Sequence, residues 1–282
     1  MIGDVAIVTD SAAYLPVDVQ RKFGVALVPL TVTVDGRDYR EGVDIDADAF
    51  YSMLDGASSV TTSQPSPGVI IEAYQAAAAA GAKSIVSIHI GAALSGTLQS
   101  AQLAASMSPI PVNVIDSGQA SFAEGLVVWE VIDALARGVS ADRAADVAQA
   151  ASSRVGNTFV VKALDLMRKG GRLEQGATAQ AVPVLAYERG VVRVSGNAES
   201  VERAVMLMAE TIREAAEGAR VGLRVGIGHG AAEPIARELR RRVSGMRGVD
   251  EIIDYIVGPS IGAHTGAGNA GAVYIDRVPV EV

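Results

Sequence analysis

Residues 84–116 read SIVSIHIGAALSGTLQSAQLAASMSPIPVNVID, and their pattern sets the fold of the chain. Two apolar runs of strand length, 84–90 and 112–116, lie on either side of a helical pattern over 96–107. This order of strand, helix and strand predicts a βαβ unit with parallel strands. The apolar run VAIVTD at 5–10 predicts another strand of the same sheet.

The alternation of strands and helices extends over the first half of the chain, with further helices predicted over 67–80 and 120–137. The second half differs, because PVLAYERGVVRV contains two strand-like runs joined by a tight turn, which predicts a hairpin. We therefore predict an α/β protein of two domains. The N-terminal α/β domain, 1–155, has a mainly parallel sheet with flanking helices, and the C-terminal α/β domain, 156–282, has a more mixed or antiparallel sheet.

The composition excludes several classes of function. The chain has 282 residues and a net charge of −8, which disfavours nucleic acid and anionic membrane surfaces as partners. It has no cysteine, so disulfides, zinc–thiolate sites and thiol catalysis are excluded. The N-terminus, MIGDVAIVTDS, has no basic region before its apolar run, and acids or glycines interrupt every apolar stretch. A cytoplasmic protein without membrane insertion is expected.

Three short stretches combine hydroxyl groups with small turn residues: TTSQPSP at 61–67, LSGT at 94–97 and AHTGAG at 263–268. Hydroxyl and backbone N–H donors without a nearby lysine are suited to holding one small anion such as a carboxylate. Helix capping is the alternative explanation for two of them. Ser66 before Pro67 is typical of an N-cap, and Ser95 is in position to cap the helix over 96–107.

The three histidines differ in their surroundings. His89 lies inside an apolar strand and is predicted to be a hydrogen-bonded core histidine, while His229 at a strand end is ambiguous. His264 lies in SIGAHTGAGNAG at 260–271, which we predict to be a loop of small residues that lets the backbone approach a ligand closely.

Other motif matches do not carry a function. Residues 266–271 fit G-x-G-x-x-G, but the strand-like AVYID follows where a dinucleotide site needs a helix. Residues 258–262 fit G-x-S-x-G, but no histidine follows His264 to complete a hydrolase triad. The alternating acids over 44–48 are explained by Asp46 as an N-cap, so no metal site is predicted.

Five motifs occur in a fixed order along the whole chain: VTDSAAYLP at 8–16, TTSQPSP at 61–67, LSGTLQSA at 94–101, RKGGRLE at 168–174 and the His264 loop. In this set the chain resembles the DegV family. The resemblance implies two α/β domains with one long-chain fatty acid held between them, its carboxylate in a polar pocket and its tail in a buried apolar tunnel. It also implies a carrier that presents the acid to a separate kinase, which converts it to an acyl phosphate.

Transferred onto this sequence, the resemblance assigns a set of head-group residues and no catalytic residue, metal or cofactor. We therefore predict a lipid-binding carrier rather than an enzyme. The predicted ligand-binding residues are Thr62, Ser63, Ser95, Gly96, Thr97, His264 and Thr265.

Two positions depart from the family pattern. The family motif HxGPG has Ala267 in place of its proline here, which reduces the rigidity of the loop. Ala198-Glu199-Ser200 stands where the family tends to have a basic segment, so an acid replaces a cation at the expected contact with the kinase. Arg193 or Arg203 is the alternative source of that cation.

An enzyme is the competing hypothesis. His264 would act as a general base and activate the hydroxyl of Ser95 or Thr62 in a hydrolase or acyl-transfer reaction. The sequence selects no acid to orient that histidine. A purely structural role is the third hypothesis, and it leaves the three hydroxyl-rich stretches unexplained.

Overall fold

A computed structural model describes residues 1–169, 171, 173, 182–188 and 190–277. The chain forms two compact units. The first contains Met1–Ile45 and Ser59–Ser153, and the second contains Asp46–Ser58 together with the described residues from Arg154 onward. The second unit is therefore discontinuous in sequence, since its first segment is inserted within the first unit.

A four-stranded parallel sheet lies in the first unit, as the βαβ pattern predicts. Its strands are ordered β2-β1-β6-β7, and their apolar side chains pack mainly with the flanking helices. The sheet confirms the fold class predicted for this half of the chain. Its strands are β1 (Val5–Asp10), β2 (Ala26–Val28), β6 (Ser84–His89) and β7 (Val112–Asp116).

A second, antiparallel sheet of three short strands also belongs to the first unit, and the sequence analysis missed it. Asp35 and Gly36 join two of its strands, and both have positive φ, as a two-residue type I′ hairpin turn requires. The Asp-Gly pair after TVTV was therefore a readable hairpin signal. The strands, in the order β4-β3-β5, are β3 (Thr31–Val34), β4 (Arg37–Arg40) and β5 (Val60–Ser63).

Three of the helices of the first unit begin and end close to the predicted positions. Ile70 and Tyr74 are fully buried among the apolar residues of the parallel sheet. Their helix starts at Pro67, where the Ser66 side chain accepts a hydrogen bond from Val69 N, so the predicted N-cap is confirmed. The helices are α1 (Val17–Phe23), α3 (Pro67–Ala79), α4 (Thr97–Ala105), α5 (Phe122–Ala136) and α6 (Ala144–Ser152). Of these, α3, α4 and α5 were predicted, whereas α1 and α6 were not.

The second unit is built on a six-stranded mixed sheet ordered β10-β9-β8-β13-β11-β12. Among the described strands of this sheet, β11 and β12 pair in parallel and all other neighbours pair antiparallel, so the prediction of a more antiparallel second half is confirmed. The strands β9 and β10 form the predicted hairpin, and Arg189 in its turn lies outside the described residues. The strands are β8 (Val155–Val160), β9 (Val182–Glu188), β10 (Val191–Ala198), β11 (Leu223–Gly230), β12 (Val249–Ile256) and β13 (Asn269–Asp276).

The helices of the second unit include one from the inserted segment. Asp46 caps that helix by accepting a hydrogen bond from Ala49 N at 2.8 Å, as predicted. The apolar faces of α8 and α9 pack on one side of the mixed sheet around Met208, Ile212 and Leu239. The helices are α2 (Ala47–Leu54), α7 (Leu164–Lys169), α8 (Val201–Gly218), α9 (Glu233–Val243) and α10 (Pro259–Thr265).

Helix α5 passes very close to the turn that follows β1. A short 3-10 helix, Ser11–Ala13, continues β1, and its last carbonyl group faces Gly125. A Cβ atom on Gly125 would fall on the Ala13 carbonyl oxygen and would also lie 2.8 Å from Cδ2 of Phe122. Glycine at this position is thus a packing requirement rather than a helix breaker.

We predict that Gly125→Ala destabilises the protein although alanine is the better helix former. The gain in helix propensity is about 1 kcal/mol, whereas overpacking against a fixed backbone typically costs about 1–3 kcal/mol. Urea denaturation monitored by circular dichroism measures the difference. Gly218→Ala is the matched control, because a Cβ atom there meets nothing within 4 Å. Equal stabilities for the Gly125 variant and the wild type would refute the packing argument.

Candidate functional site

The side chain of Asp10 joins three segments at the carboxyl end of the parallel sheet. It accepts hydrogen bonds from Ala12 N at 3.1 Å, from Ile90 N at 3.0 Å and from the Nδ1 atom of His89 at 3.2 Å. Asp10 is fully buried, so each of these bonds is sheltered from water. The carboxylate fixes the end of β6, from which the LSGT loop departs.

His89 continues this network toward α3. Its Nε2 atom lies 2.8 Å from Ser87 Oγ, and the Tyr74 hydroxyl donates to the same oxygen at 2.9 Å. A neutral imidazole that carries its proton on Nδ1 satisfies all these contacts, because it donates to Asp10 and accepts from Ser87. The prediction that His89 is a hydrogen-bonded core histidine is confirmed.

These residues form a Ser–His–Asp set, but they do not form an accessible active site. Ser87, His89 and Asp10 are each 0% exposed, and the Ser87 oxygen already accepts a hydrogen bond from Tyr74. A nucleophile must reach its substrate, and this hydroxyl is enclosed by the core. The set therefore stabilises the sheet edge and does not support a hydrolase.

The LSGT loop leads from β6 into α4, and its capping differs from the prediction. Gly96 occupies the N-cap position and no side chain caps the helix, so the prediction of Ser95 as the N-cap was wrong. Ser95 lies one residue earlier, where its Oγ atom accepts from Thr97 N at 3.3 Å and lies 2.8 Å from Thr97 Oγ1. The serine hydroxyl therefore lies in the loop, before the first residue of the helix.

The two hydroxyl groups of this loop are hydrogen-bonded to each other. Thr97 is 0% exposed, and its Oγ1 atom lies 2.8 Å from Ser95 Oγ, where either hydroxyl can be the donor. Ser95 is half-buried, so it is the more accessible of the two. A contact of Ser95, Gly96 or Thr97 with a head group stays a prediction.

Thr62 and Ser63 are consecutive residues at the end of β5, and consecutive strand residues face opposite sides of a sheet. Thr62 lies on the half-buried side, and Ser63 lies on the exposed side. The two hydroxyl groups therefore do not act as a pair on one face. A contact of either with a head group stays a prediction.

Gln64 brings the first two hydroxyl-rich stretches together, and sequence reasoning missed it. A Cβ atom on Gly96 would lie 3.0 Å from Gln64 Nε2 and 3.1 Å from its Cδ, so the carboxamide rests on this glycine. The stretch at 61–67 thereby contacts the stretch at 94–97. A glycine between two hydroxyl residues was the only sequence signal for such a close approach.

The electrostatics of this region favour an anion without supplying a formal positive charge. The N-terminus of α3 follows the TTSQPSP stretch and the N-terminus of α4 follows LSGT, so both stretches adjoin the positive ends of helix dipoles. Neither stretch contains lysine or arginine. The arrangement suits a single negative charge held by neutral donors.

His264 lies in a helix of the second unit, so the prediction of a loop at this position was wrong. Pro259 starts α10 after Gly258, and Gly266, with φ of +72°, ends it one residue after Thr265. His264 is half-buried in the last turn, where a cation is favourable. The small residues that follow the helix do form a tight turn. This turn is joined to the end of β11, because Gly268 N donates a hydrogen bond to Gly230 O at 2.7 Å.

The hydroxyl of Thr265 is hydrogen-bonded to other residues of the second unit. Its hydroxyl donates to Ile261 O at 3.1 Å and accepts from the Asn269 side chain at 3.0 Å. The same Asn269 amide lies 3.3 Å from the Tyr51 hydroxyl, which donates to Val257 O at 3.1 Å. This cluster anchors α10 to α2. The predicted contact of His264 and Thr265 with a ligand stays a prediction.

The acids over 44–48 have structural partners. Arg40 makes two side-chain hydrogen bonds with Asp44, which hold the pKa of that carboxyl at about 2, and Asp46 caps α2. Within the described residues, no group of acids and histidines is arranged to hold a metal ion. In the same part of the chain, no helix combines the length and the apolar character of a membrane span.

The segment in which the sequence departs from the family joins β10 to α8. Ala198 ends the strand, and Ser200 caps the helix by accepting from Arg203 N at 3.2 Å. The Arg203 guanidinium lies 3.9 Å from Glu210, so this cation already faces an acid. The RKGGRLE motif at 168–174 lies mostly outside the described residues.

Glu124 is a buried acid in the first turn of α5. Thr9 donates to its Oε1 atom at 3.2 Å, while Oε2 has no hydrogen-bond partner among the described residues. Burial raises the pKa of Glu124 well above its ordinary value, and the negative charges of Asp10 and Glu41 raise it further. Folding therefore favours the protonated form of this acid.

Comparison with known proteins gives a consistent result over the whole chain. Residues 4–277 match the model of the DegV family, which is described as a family of uncharacterised proteins. A DegV domain-containing protein of Streptomyces coelicolor is 35% identical, over 98% of this chain and 100% of that protein. A fatty-acid-binding DegV family protein from Thermus thermophilus superposes with a TM-score of 0.89 at 32% identity, covering 97% of this chain and 99% of that one. DegV from Bacillus subtilis, described as a fatty acid binding protein, gives a TM-score of 0.88 at 26% identity with the same coverage.

We predict that Glu124→Gln makes the protein less sensitive to alkaline pH. The raised pKa means that folding favours the protonated acid, so this contribution is complete below the ordinary pKa of 4.5 and is lost as pH rises through the folded-state value. Glutamine stays neutral throughout, so the stability advantage of the variant should grow with pH until Glu124 is ionised. Melting temperatures between about pH 5 and pH 9 measure the effect. Glu72→Gln, at an exposed position of α3, should leave the pH profile unchanged, and identical profiles for both variants would contradict the assignment.

Proposed function

The chain belongs to the DegV family, and we propose that it binds one long-chain fatty acid through its carboxylate and its apolar tail. The observation that carries the proposal is the meeting of two hydroxyl-rich loops at Gln64 and Gly96, beside the half-buried hydroxyl of Ser95. The solved relatives from Thermus thermophilus and Bacillus subtilis are described as binding fatty acids, which supports the same ligand class here.

The chemistry of the loops favours a carboxylate over a phosphate group. A carboxylate carries one negative charge and accepts hydrogen bonds from hydroxyl, amide and backbone donors. A phosphate carries more charge and is usually recognised with arginine or lysine. The residues at 61–67 and 94–97 supply neutral donors and helix N-termini only, in agreement with a singly charged head group.

The apolar tail supplies most of the affinity in this proposal. Each buried methylene group is worth about 0.8 kcal/mol, so a tail of about fifteen gains on the order of 12 kcal/mol before the entropy cost of binding. A hydrogen bond to a charged group contributes about 1.5–3 kcal/mol net. The head-group residues therefore orient the acid, and a buried apolar tunnel for the tail determines how tightly it is held.

The protein acts as a carrier that presents the acid to a separate kinase. In that reaction a carboxylate oxygen attacks the γ-phosphorus of ATP, an acyl phosphate forms and ADP leaves. Glu199 is the feature of this chain that opposes such a partner, since it places an acid where the family tends to have a cation. The cytoplasmic location is part of the same proposal.

A hydrolase or acyl-transfer activity is the weaker alternative. The Ser–His–Asp set of Ser87, His89 and Asp10 is enclosed by the core of the first unit. For His264 with Ser95 or Thr62, the sequence selects no acid that would orient the histidine. An activated ester that gave a burst followed by turnover would favour the enzyme over the carrier.

We expect fatty acid to be extracted from the purified protein and identified by mass spectrometry. After delipidation, shortening the acid by two methylenes should weaken binding about fifteenfold, which corresponds to about 1.6 kcal/mol. Ser95→Ala should weaken palmitate binding about tenfold through loss of a charged hydrogen bond. Ser106→Ala, on the far end of α4, is the control and should bind as the wild type does. Failure of the wild type to retain or take up any fatty acid would refute the proposal.

We also expect acyl phosphate to form when the loaded protein, ATP and a fatty acid kinase catalytic subunit are combined. Hydroxylamine trapping measures the product. Because the acid at 199 opposes a cation-dependent contact, Glu199→Arg should increase the rate, whereas Glu202→Arg, three residues along, is the matched charge control. The carrier role fails if neither the wild type nor the Glu199 variant supports product formation while both bind fatty acid.

A further inference from the structure

We propose that Gln64 is a further head-group residue, whose carboxamide N–H groups bind the carboxylate oxygen that Ser95 leaves unpaired and so select ionised acids. This inference rests on the proposed binding of a fatty acid. It assigns a specificity role to a residue of the first unit that lies in contact with Gly96.

The backbone around Gln64 is conformationally restricted. Gln64 follows the last residue of β5 and precedes Pro65, and a residue before proline is restricted to extended conformations. Pro65 is buried, and Ser66 then caps α3. The segment therefore has little freedom, and its carboxamide lies against Gly96 at the entrance of α4.

Because Gly96 has no side chain, it leaves room for the carboxamide of Gln64. The carboxamide nitrogen and carbon lie 3.0 and 3.1 Å from the position that a Cβ atom would occupy, which is closer than ordinary van der Waals contact. Any larger residue at position 96 would displace the amide. Gly96 thus allows the position of the Gln64 side chain and also forms the turn into α4.

The count of donors leaves room for a further group. A carboxylate has two oxygen atoms with about four lone-pair positions. Ser95 offers at most one hydrogen, because its hydroxyl group carries only one. A glutamine carboxamide offers two N–H donors, so Gln64 and Ser95 together can serve both oxygens.

The donors of Gln64 are available for this purpose. Its side chain is exposed, and it makes no hydrogen bond to another group in the described part of the chain. The carboxamide is therefore held by packing on Gly96 rather than by a polar partner within the protein. A ligand carboxylate that reached Ser95 would meet these free N–H groups on the adjoining loop.

The experiment compares an ionised ligand with a neutral one of the same length. Displacement of a fluorescent fatty acid measures the binding of palmitate and hexadecanol at pH 8, where the free acid is ionised, to the full chain and its variants. Gln64→Glu keeps the shape of the side chain but replaces its donors with a negative charge. We expect about a tenfold or greater loss of palmitate affinity, since a charged hydrogen bond is lost and a repulsion is added. Hexadecanol affinity should change less than about twofold.

Two further variants test the packing on Gly96. Gly96→Ala should weaken palmitate binding as Gln64→Ala does, and the double variant should be no weaker than Gln64→Ala alone, because both changes remove the same contact. Gln102→Glu, at an exposed position of α4, is the control for charge, and Gly218→Ala is the control for an added methyl group.

Each result has a distinct meaning. Selective loss of palmitate binding by Gln64→Glu supports the inference. It is overturned if the wild type binds palmitate and Gln64→Glu binds it equally well, or if palmitate and hexadecanol are weakened equally, and the proposed function then stands. Absence of palmitate binding by the wild type refutes the proposed function and the inference together. Circular dichroism melting of each variant identifies any loss that is due to unfolding.

Discussion

The architecture around the candidate site depends on one buried carboxylate, that of Asp10. It receives hydrogen bonds from the turn after β1, from the backbone at the end of β6 and from the ring of His89. A buried donor that loses its acceptor costs about 1–3 kcal/mol, so three such donors make the position highly constrained. The direction in which the LSGT loop leaves the sheet follows from this arrangement. Asp10 therefore has an indirect role, because it fixes the strand ends from which the loops depart.

Most of the secondary structure was predictable because it depends on local patterns. The apolar runs at 5–10, 84–90 and 112–116 contain the three longest strands of the parallel sheet, and the hairpin pattern correctly indicated an antiparallel element in the second unit. Ser66 and Asp46 were predictable as N-caps because a cap is a contact between residues three apart. The sheet β4-β3-β5 was missed because its strands are only four residues long, and its Asp-Gly turn was the one strong local signal.

The candidate site was less predictable, because its contacts join residues far apart in sequence. Ser95 was correctly associated with the carboxyl end of the sheet, but its place before the N-cap depends on the path of the loop after β6. Gln64 was missed, since its packing on Gly96 cannot be read from either stretch alone. His264 was assigned to a loop because glycine and alanine suggest one, whereas Pro259 and the contacts of Asn269 and Tyr51 stabilise a short helix. Hydroxyl groups alone did not distinguish the half-buried Ser95, which we propose as a ligand donor, from buried residues such as Thr97 and Thr265.

The inserted helix α2 has a consequence for how the chain reaches its native state. Tyr51 emerges from the ribosome early, but its partners Val257 and Asn269 follow it by 206 and 218 residues. These contacts of helix α2 can therefore form only when almost the entire polypeptide has been synthesised. A fragment that starts at Arg154 would lack the hydroxyl that fills the space beside Gly230 and Gly262. The mixed sheet is thus not an independent module, because one cut in the chain cannot separate it with all of its packing partners.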